Sequence, residues 1–145
     1  MLRVGGFALG VLLVLASSVM WADDLADENR FLCSPVQATV CFDDGECEID
    51  LPWNLNIPEF IEVDLEARRL STTAASGENR MTPIENVSRR DGLIVLQGFE
   101  MGRAFSWVIS EETGQVTAAI ASEGRAVSVF GSCTPIASAG EPGRK

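Results

Sequence analysis

The sequence contains no histidine and no tyrosine, and its one lysine is the last of its 145 residues. Without histidine there is no imidazole base for a Ser-His-Asp or Cys-His catalytic system, and no HExxH zinc motif. A glycosidase would need two carboxylates that face each other across a cleft. Candidate acids such as Glu62 and Glu111 fall on strand faces or in turns, and the domain is small. We therefore expect a protein that is not an enzyme.

Positive charge is also scarce. The chain has 11 lysine and arginine residues against 21 aspartate and glutamate residues, which gives a net charge of −10. A negative chain is repelled by nucleic-acid phosphates and by anionic membrane surfaces. We expect no nucleic-acid partner, and the acidic balance favours a basic protein as a partner if the protein binds one.

Long apolar runs are absent except at the start of the chain. Arg3 precedes an apolar run over residues 4–19, and polar residues follow it, an order typical of a secretory signal peptide. We predict a signal peptide over residues 1–22, cleaved after Ala22 or, alternatively, after Ser18. The run is shorter than the roughly 20 residues that span a membrane, so we expect no stable membrane span after cleavage.

Export sets the expected location and the organisation of the chain. Ten of the eleven basic residues are arginine, which is typical of GC-rich coding, and we predict a periplasmic or secreted bacterial protein. After the signal peptide we predict an acidic leader at 23–32, a disulfide-stapled β domain at 33–135 and a disordered tail at 136–145. The domain of about 100 residues can bury one small core.

The four cysteines lack the C-x-x-C spacing of redox and zinc sites. In an exported protein they indicate two structural disulfides, for which three pairings are open. Cys41 and Cys47 flank residues 42–46, and a three-residue hairpin loop at 43–45 that ends on glycine would place them opposite each other. This argument favours Cys41–Cys47, which leaves Cys33 with Cys133. We expect no metal and no cofactor.

The fold class follows from alternation of apolar and polar residues with a period of two. Glycines at 92, 102, 114 and 124 punctuate this pattern every 10 to 12 residues, where we expect three- and four-residue hairpin loops. The prediction is an all-β fold, a small antiparallel meander of about eight strands that forms a barrel or a barrel-like sandwich. The predicted strands are 36–42, 46–51, 59–66, 82–88, 93–99, 103–110, 115–121 and 125–132.

Two further expectations concern the interior. Residues 93–96 are apolar at every position, which predicts a central strand covered on both faces. Trp107 lies on the same predicted strand face as Phe105 and Ile109, because the three residues are spaced by two, and we expect it in the core. A disulfide between Cys33 and Cys133 would join the first and last strands, which favours closure of the barrel.

Two loops hold candidate binding residues. Asp43, Asp44 and Glu46 place carboxylates at the predicted hairpin tip, without the spacing of a calcium loop. This tip is either a solvated turn or a contact for a basic partner. Trp53 lies between two prolines, at 52 and 58. Such an aromatic is either a recognition anchor or part of a loop that plugs one end of the barrel.

The chain from 93 to 135 resembles a group of small exported bacterial proteins whose function is not characterised. The resemblance covers about a third of the chain and implies no catalytic residue. The matching pieces are Leu-Gln-Gly at 96–98, Gly-Arg-Ala-Phe-Ser-Trp-Val-Ile at 102–109, Thr-Gly at 113–114 and Val-Phe-Gly-Ser-Cys-Thr-Pro at 129–135.

The connection at 72–80 carries a second, weaker resemblance. It contains Ser76-Gly77, and in this it resembles the periplasmic inhibitors of C-type lysozyme. Those are small eight-stranded β-barrels with a disulfide between their N- and C-terminal parts and a Ser-Gly motif on an inhibitory loop. The aromatic residue that follows in that family is replaced here by Asn79 or Arg80. The resemblance implies that Ser76 and Gly77 contact a lysozyme; an exposed linker is the other interpretation of this loop.

The function we predict is an exported, non-catalytic β-barrel module that binds another protein of the cell envelope, in its most specific form a lysozyme inhibitor. The alternative is a carrier of a small apolar ligand in the barrel interior. Small residues at expected inward positions (Ala104 or Ser106, Ala118, Ala126) would leave room for that ligand.

Overall fold

The structure, a computed structural model, describes residues 24–136. The strands are β1 (Arg30–Phe42), β2 (Cys47–Asp50), β3 (Ile61–Asp64), β4 (Arg69–Thr72), β5 (Met81–Pro83), β6 (Asn86–Arg90), β7 (Leu93–Glu100), β8 (Arg103–Ser110), β9 (Gln115–Ser122) and β10 (Arg125–Pro135). Two short 3₁₀ turns, Pro52–Leu55 and Ala74–Ser76, interrupt the loops between strands.

All ten strands belong to one antiparallel sheet in the order β5-β4-β3-β1-β10-β9-β8-β7-β6, and β2 pairs separately with β1. The sheet curls so that its two edges, the one at β5 and the one at β6 and β7, approach each other. The Glu85 amide donates to the Gln97 carbonyl oxygen (2.8 Å), and the Thr82 hydroxyl reaches the Glu100 carboxylate (2.7 Å). The predicted all-β, barrel-like antiparallel meander is confirmed.

The predicted strands differ from the observed ones in bounds and in number: β1 begins at Arg30 and not at residue 36, and two further differences concern β4, β5 and β6. The segment 82–88 divides into β5 and β6, because the Ile84 amide turns away to the Arg68 carbonyl and the side chain of Ile84 is buried. Strand β4 was not predicted. It is four residues long, with Leu70 as its one buried side chain, so it carries no measurable alternation.

The ordered fold also starts before the predicted domain boundary at Cys33. Strand β1 begins at Arg30 and Leu25 is fully buried, so part of the segment at 23–32 belongs to the fold. The acidic composition of that segment did not predict that two of its side chains, Leu25 and Phe31, lie in the core. The predicted signal peptide at 1–22 and all but Ile136 of the predicted tail lie outside the described residues.

Both predicted disulfides are present. Cys33 and Cys133 are direct partners across β1 and β10 with a Cα–Cα distance of 4.0 Å, and they lie 100 residues apart in sequence. Cys41 and Cys47 are partners across β1 and β2 at 4.1 Å. Gly45, in the loop between them, has a φ of 90°, as the hairpin argument requires.

Some hairpins are tighter than predicted. Asp91-Gly92 and Met101-Gly102 are two-residue loops in which both residues have positive φ, the conformation of a type I′ turn. This turn matches the twist of the flanking strands. The expectation of three- and four-residue loops is therefore wrong at these two glycines and also at Gly124, since Ser122 pairs with Arg125. The glycines do mark the turns.

The inward face of the sheet forms one hydrophobic core. Trp107 and Ile109 are buried, as predicted, and so are Ile94 and Leu96 on β7. Leu93 on the same strand is exposed, however, so β7 is covered on one face only. The reason is that all ten strands belong to one curled sheet, so no second layer covers the outer face of β7.

Residues 24–29 cover one end of the curled sheet, where β1 begins. Arg89 on β6 donates hydrogen bonds to the carbonyl oxygens of Leu25, Ala26 and Glu28 and pairs with the Glu111 carboxylate. The Leu25 amide in turn donates to the Glu111 carbonyl (2.7 Å). We call this arrangement the clasped end.

Across residues 24–136, the structure has no helix of the length and apolar character that a membrane crossing requires.

Candidate functional site

The opposite end of the curled sheet, where β8 begins, is covered by the loop that carries Trp53. The Asp50 carboxylate accepts hydrogen bonds from the Leu51 amide and the Asn54 side chain, both at 2.7 Å. These bonds, the one from Asn54 first, lower the pKa of Asp50 and fix the start of the 3₁₀ turn. Asn56, with a φ of 58°, then reverses the chain.

The same loop divides its side chains between the interior and the solvent. Pro52 is buried and Ile57 is 7% exposed, so the loop does plug this end of the barrel. Trp53, by contrast, is 50% exposed. The two interpretations of this loop therefore apply to different residues, the plug to Pro52 and Ile57 and the exposed aromatic to Trp53.

The loop that carries Ser76 lies beside it. Ser76 ends a 3₁₀ turn, and its hydroxyl donates to the Thr73 carbonyl (2.7 Å) and accepts from the Glu78 amide (3.1 Å). Gly77 caps the turn with a φ of 72°, a conformation that favours glycine. The Ser76 hydroxyl thus stabilises the shape of the loop.

An open groove of about 390 Å³ separates these two loops. We use the name groove for the surface whose lining residues are Trp53, Asn56, Ile57, Pro58, Glu59, Phe60, Thr73, Ala75, Ser76, Glu78 and Arg80. The structure thereby brings together Trp53 and Ser76, two candidate residues from separate loops, and places Gly77 next to Ser76.

The acidic hairpin tip is not part of the groove lining. The Asp43 amide donates to the Gly124 carbonyl (3.1 Å), so the tip packs against the turn between β9 and β10. Asp44 accepts a hydrogen bond from the Glu46 amide and closes the turn. Among residues 24–136 there is no cluster of three or more acidic or cysteine side chains arranged to hold a metal ion.

Below the groove, an apolar cavity of about 60 Å³ enters the interior of the barrel. Its apolar lining consists of Ile57, Pro58, Ile61, Leu70, Phe105, Trp107 and Ile120. A second void of about 20 Å³ lies further in and shares Ile57, Trp107 and Ile120 with the first. The groove and the cavity share Ile57, Pro58 and Arg80.

Charged side chains surround the mouth of the cavity. Arg80 binds the Glu100 carboxylate in a bidentate pair (2.8 and 2.6 Å), and it also donates to the Asn56 carbonyl (2.8 Å). Thr82 donates to the same carboxylate. The hydrogen bonds from Arg80 are the main cause that lowers the pKa of Glu100, ahead of the bond from Thr82 and the positive charges of Arg80 and Arg103. We call Arg80, Thr82, Glu100, Arg103 and the cavity below them the cavity end.

Arg103 is the least satisfied member of this cluster. Its nearest contacts are the Leu55 carbonyl at 3.4 Å and the Glu100 carboxylate at 3.6 Å, although its side chain is only 15% exposed. Burial, followed by the positive charge of Arg80, lowers the pKa of Arg103. An arginine nevertheless remains protonated in a protein.

The sequence did not single out Arg80, Glu100 or Arg103 as site residues. The available signal was position, because Arg103, Phe105 and Trp107 are alternate residues that share the inward face of β8. Because Arg103 precedes the inward-facing Phe105 and Trp107 on the same strand, it indicates that a charged side chain borders the core at the start of β8. Ala104 and Ala126, expected to point inward, are exposed, and Ala118 is buried.

A scan against protein-family models finds no family that matches this chain, and a search of curated protein sequences finds no significant match.

Proposed function

We propose that the protein is an exported, non-catalytic module that binds another protein of the cell envelope through the groove. The observation that carries the proposal is the juxtaposition of half-exposed Trp53 and the Ser76 loop across an open groove. Exposed aromatic residues on rigid loops are frequent anchors of protein interfaces. The two disulfides are consistent with an oxidising compartment outside the cytoplasm, and we propose the periplasm or the exterior of a bacterium.

The charge around the groove favours a basic partner. Glu59 and Glu78 line it, and the chain has a net charge of −10. Opposite charges steer two proteins together and raise their association rate. A C-type lysozyme is the most specific partner we propose, because Ser76-Gly77 lies at the edge of the groove, as the resemblance to lysozyme inhibitors implies.

The experiment is a lysozyme inhibition assay with the disulfide-bonded protein at micromolar concentration. We expect inhibition that Trp53→Ala weakens by about tenfold or more, since a central aromatic anchor commonly contributes over 1 kcal/mol. Gly77→Val should also weaken it, because a β-branched residue opposes positive φ and distorts the Ser76 loop. Phe130→Ala is the matched control, since Phe130 is an exposed aromatic on β10 away from the groove.

Two outcomes count against this proposal. Absence of inhibition by the wild-type protein at micromolar concentration would reject the lysozyme as the partner. Capture of cell-envelope proteins that is equal for the wild type and for Trp53→Ala would reject the groove as the binding surface.

A second candidate function is a carrier of a small ligand in the barrel interior, which the apolar cavity favours. Its volume of about 60 Å³ is far below the several hundred Å³ of pockets for drug-sized molecules, so the ligand would be small. Native mass spectrometry of protein purified from its own cell envelope tests this candidate. A ligand-free mass in every preparation would count against it.

A further inference from the structure

The cavity end contains an arginine, Arg103, whose positive charge the protein pairs only weakly. Arg80 and Glu100 satisfy each other through two short hydrogen bonds, and Thr82 occupies a further position on the same carboxylate. Arg103 has contacts of 3.4 and 3.6 Å only, longer than the 2.7–2.9 Å typical of charge-assisted hydrogen bonds. The Glu100 carboxylate therefore faces two guanidinium groups, of which Arg80 also experiences the charge of Glu78.

This arrangement is costly without a further partner. A charge removed from water is unfavourable unless it is paired and hydrogen-bonded, and the Arg103 side chain is only 15% exposed. Burial is the main cause that lowers the pKa of Arg103; the positive charges of Arg80 and Arg125 act in the same direction, and the charge of Glu100 opposes them. The geometry and the electrostatics thus agree that the charge of Arg103 is incompletely paired.

The geometry beneath Arg103 defines the rest of the ligand. Arg103, Phe105 and Trp107 alternate along the inward face of β8, so the guanidinium group lies at the mouth of the cavity and the aromatic side chains line the way in. Ile61 and Ile120 complete an apolar wall. A space of about 60 Å³ holds a few water-sized groups, and hence a short hydrocarbon chain.

We propose that the cavity end binds a small carboxylate with a short aliphatic chain, whose carboxylate pairs with Arg103 and whose chain lies against Phe105 and Trp107. A carboxylate is the acceptor that matches the planar fork of an arginine. This inference rests on the second candidate function, that the interior holds a ligand, and adds the charge, headgroup partner and approximate size of that ligand.

The experiment compares three probes on the wild-type, disulfide-bonded protein. Sodium pentanoate, 1-pentanol and sodium acetate are each titrated at matched ionic strength, and ¹H–¹⁵N spectra follow the backbone amides of Arg103 and Ile120 and the indole N–H of Trp107. We expect pentanoate to shift these signals with an affinity about tenfold or more above those of pentanol and acetate, because it alone supplies both the charge-assisted pair and the apolar contact.

Variants then test the assignment of the headgroup. Arg103→Met should lower pentanoate affinity by about tenfold or more and leave pentanol binding unchanged, because it removes only the charged partner. Arg103→Lys should give an intermediate affinity, since it keeps the charge and loses the fork. Arg90→Met is the matched control, because Arg90 is exposed on the edge strand β6.

The outcomes separate this inference from the carrier proposal. If pentanol binds as tightly as pentanoate at these signals, the carrier proposal stands and the carboxylate site is rejected. If neither probe shifts the signals, both are rejected. Equal pentanoate affinity in the wild type and Arg103→Met would reject Arg103 as the partner of the carboxylate. The same spectra show whether both proteins are folded, which is the control for this comparison.

Discussion

Two arginines at opposite ends of the barrel have contrasting surroundings. At the clasped end, Arg89 donates to three backbone carbonyls and pairs with Glu111. At the cavity end, the Arg103 side chain is more buried, and its two contacts are longer than 3.3 Å. The contacts of Arg89 have a structural role, because they hold residues 24–29 against the core. For Arg103 we have proposed a ligand from outside the chain.

The core near the two arginines also differs in packing: it is filled at the clasped end and contains a cavity at the cavity end. Leu25 and Phe31 are fully buried at the clasped end, where residues 24–29 cover the core. At the cavity end, the loop with Ile57 covers the core and leaves a cavity above Trp107 and Ile120. Protein interiors are close-packed, so the cavity beside an incompletely paired charge is the feature that supports a ligand site at this end in our proposal.

The largest expected effect concerns the disulfide nearer the clasped end. Replacing Cys33 and Cys133 together by alanine should lower the free energy of unfolding by about 4–5 kcal/mol, because this bond closes a loop of 100 residues. The same change at Cys41 and Cys47 should cost about 2 kcal/mol, since the loop is short. Urea unfolding measures both double variants, and a larger loss at Cys41–Cys47 would contradict the loop-length argument.

The next effect tests whether the two halves of the core differ in packing. Phe31→Ala should lower the free energy of unfolding by roughly 3–5 kcal/mol, because it opens a cavity in a filled region. Ile120→Ala should cost about 2 kcal/mol, since Ile120 is partly buried and already borders an empty space. Thermal and urea unfolding give the two values. Equal losses would show that the cavity end is as tightly packed as the clasped end.

The arginines themselves provide the third test. Arg89→Met should lower the free energy of unfolding by about 2–3 kcal/mol, because it leaves the Glu111 carboxylate and three carbonyl groups without their donor. Arg103→Met should change it by less than about 1 kcal/mol, since few strong bonds are lost. Hydrogen exchange at the Leu25 amide adds a local measurement. It should accelerate in Arg89→Met and remain unchanged in Arg103→Met.

The sequence could predict the fold better than the site, for a physical reason. Alternation along β8 and β9 and the glycines at their turns depend on neighbours in sequence, and so do Cys41 and Cys47 around a tight loop. The cavity end depends on contacts between residues far apart, such as Arg80 with Glu100. No local pattern marks such a pair.

The groove shows the same limit at finer scale. Trp53 and Ser76 were candidates for separate reasons, yet only the folded sheet brings their loops to the same groove. The acidic tip lies outside the groove, and the Asp43 amide donates to the Gly124 carbonyl oxygen. Charge density along the chain does not tell which loops share an end of the curled sheet, because that depends on the pairing of strands far apart in sequence.

The smallest expected effect is a dependence of stability on pH at the cavity end. Hydrogen bonds from Arg80 lower the pKa of Glu100 in the folded state, so ionised Glu100 stabilises the fold at pH values above the unfolded pKa of glutamate, about 4.3. This contribution should disappear as the pH falls through the lower, folded pKa.

In urea unfolding at a series of pH values, the stability difference between wild type and Glu100→Gln should be constant near pH 7 and shrink below about pH 4. Glu112→Gln, which removes an exposed carboxylate in a turn, is the control. A difference that grows at acid pH would mean that ionised Glu100, paired with Arg80, does not stabilise the folded state.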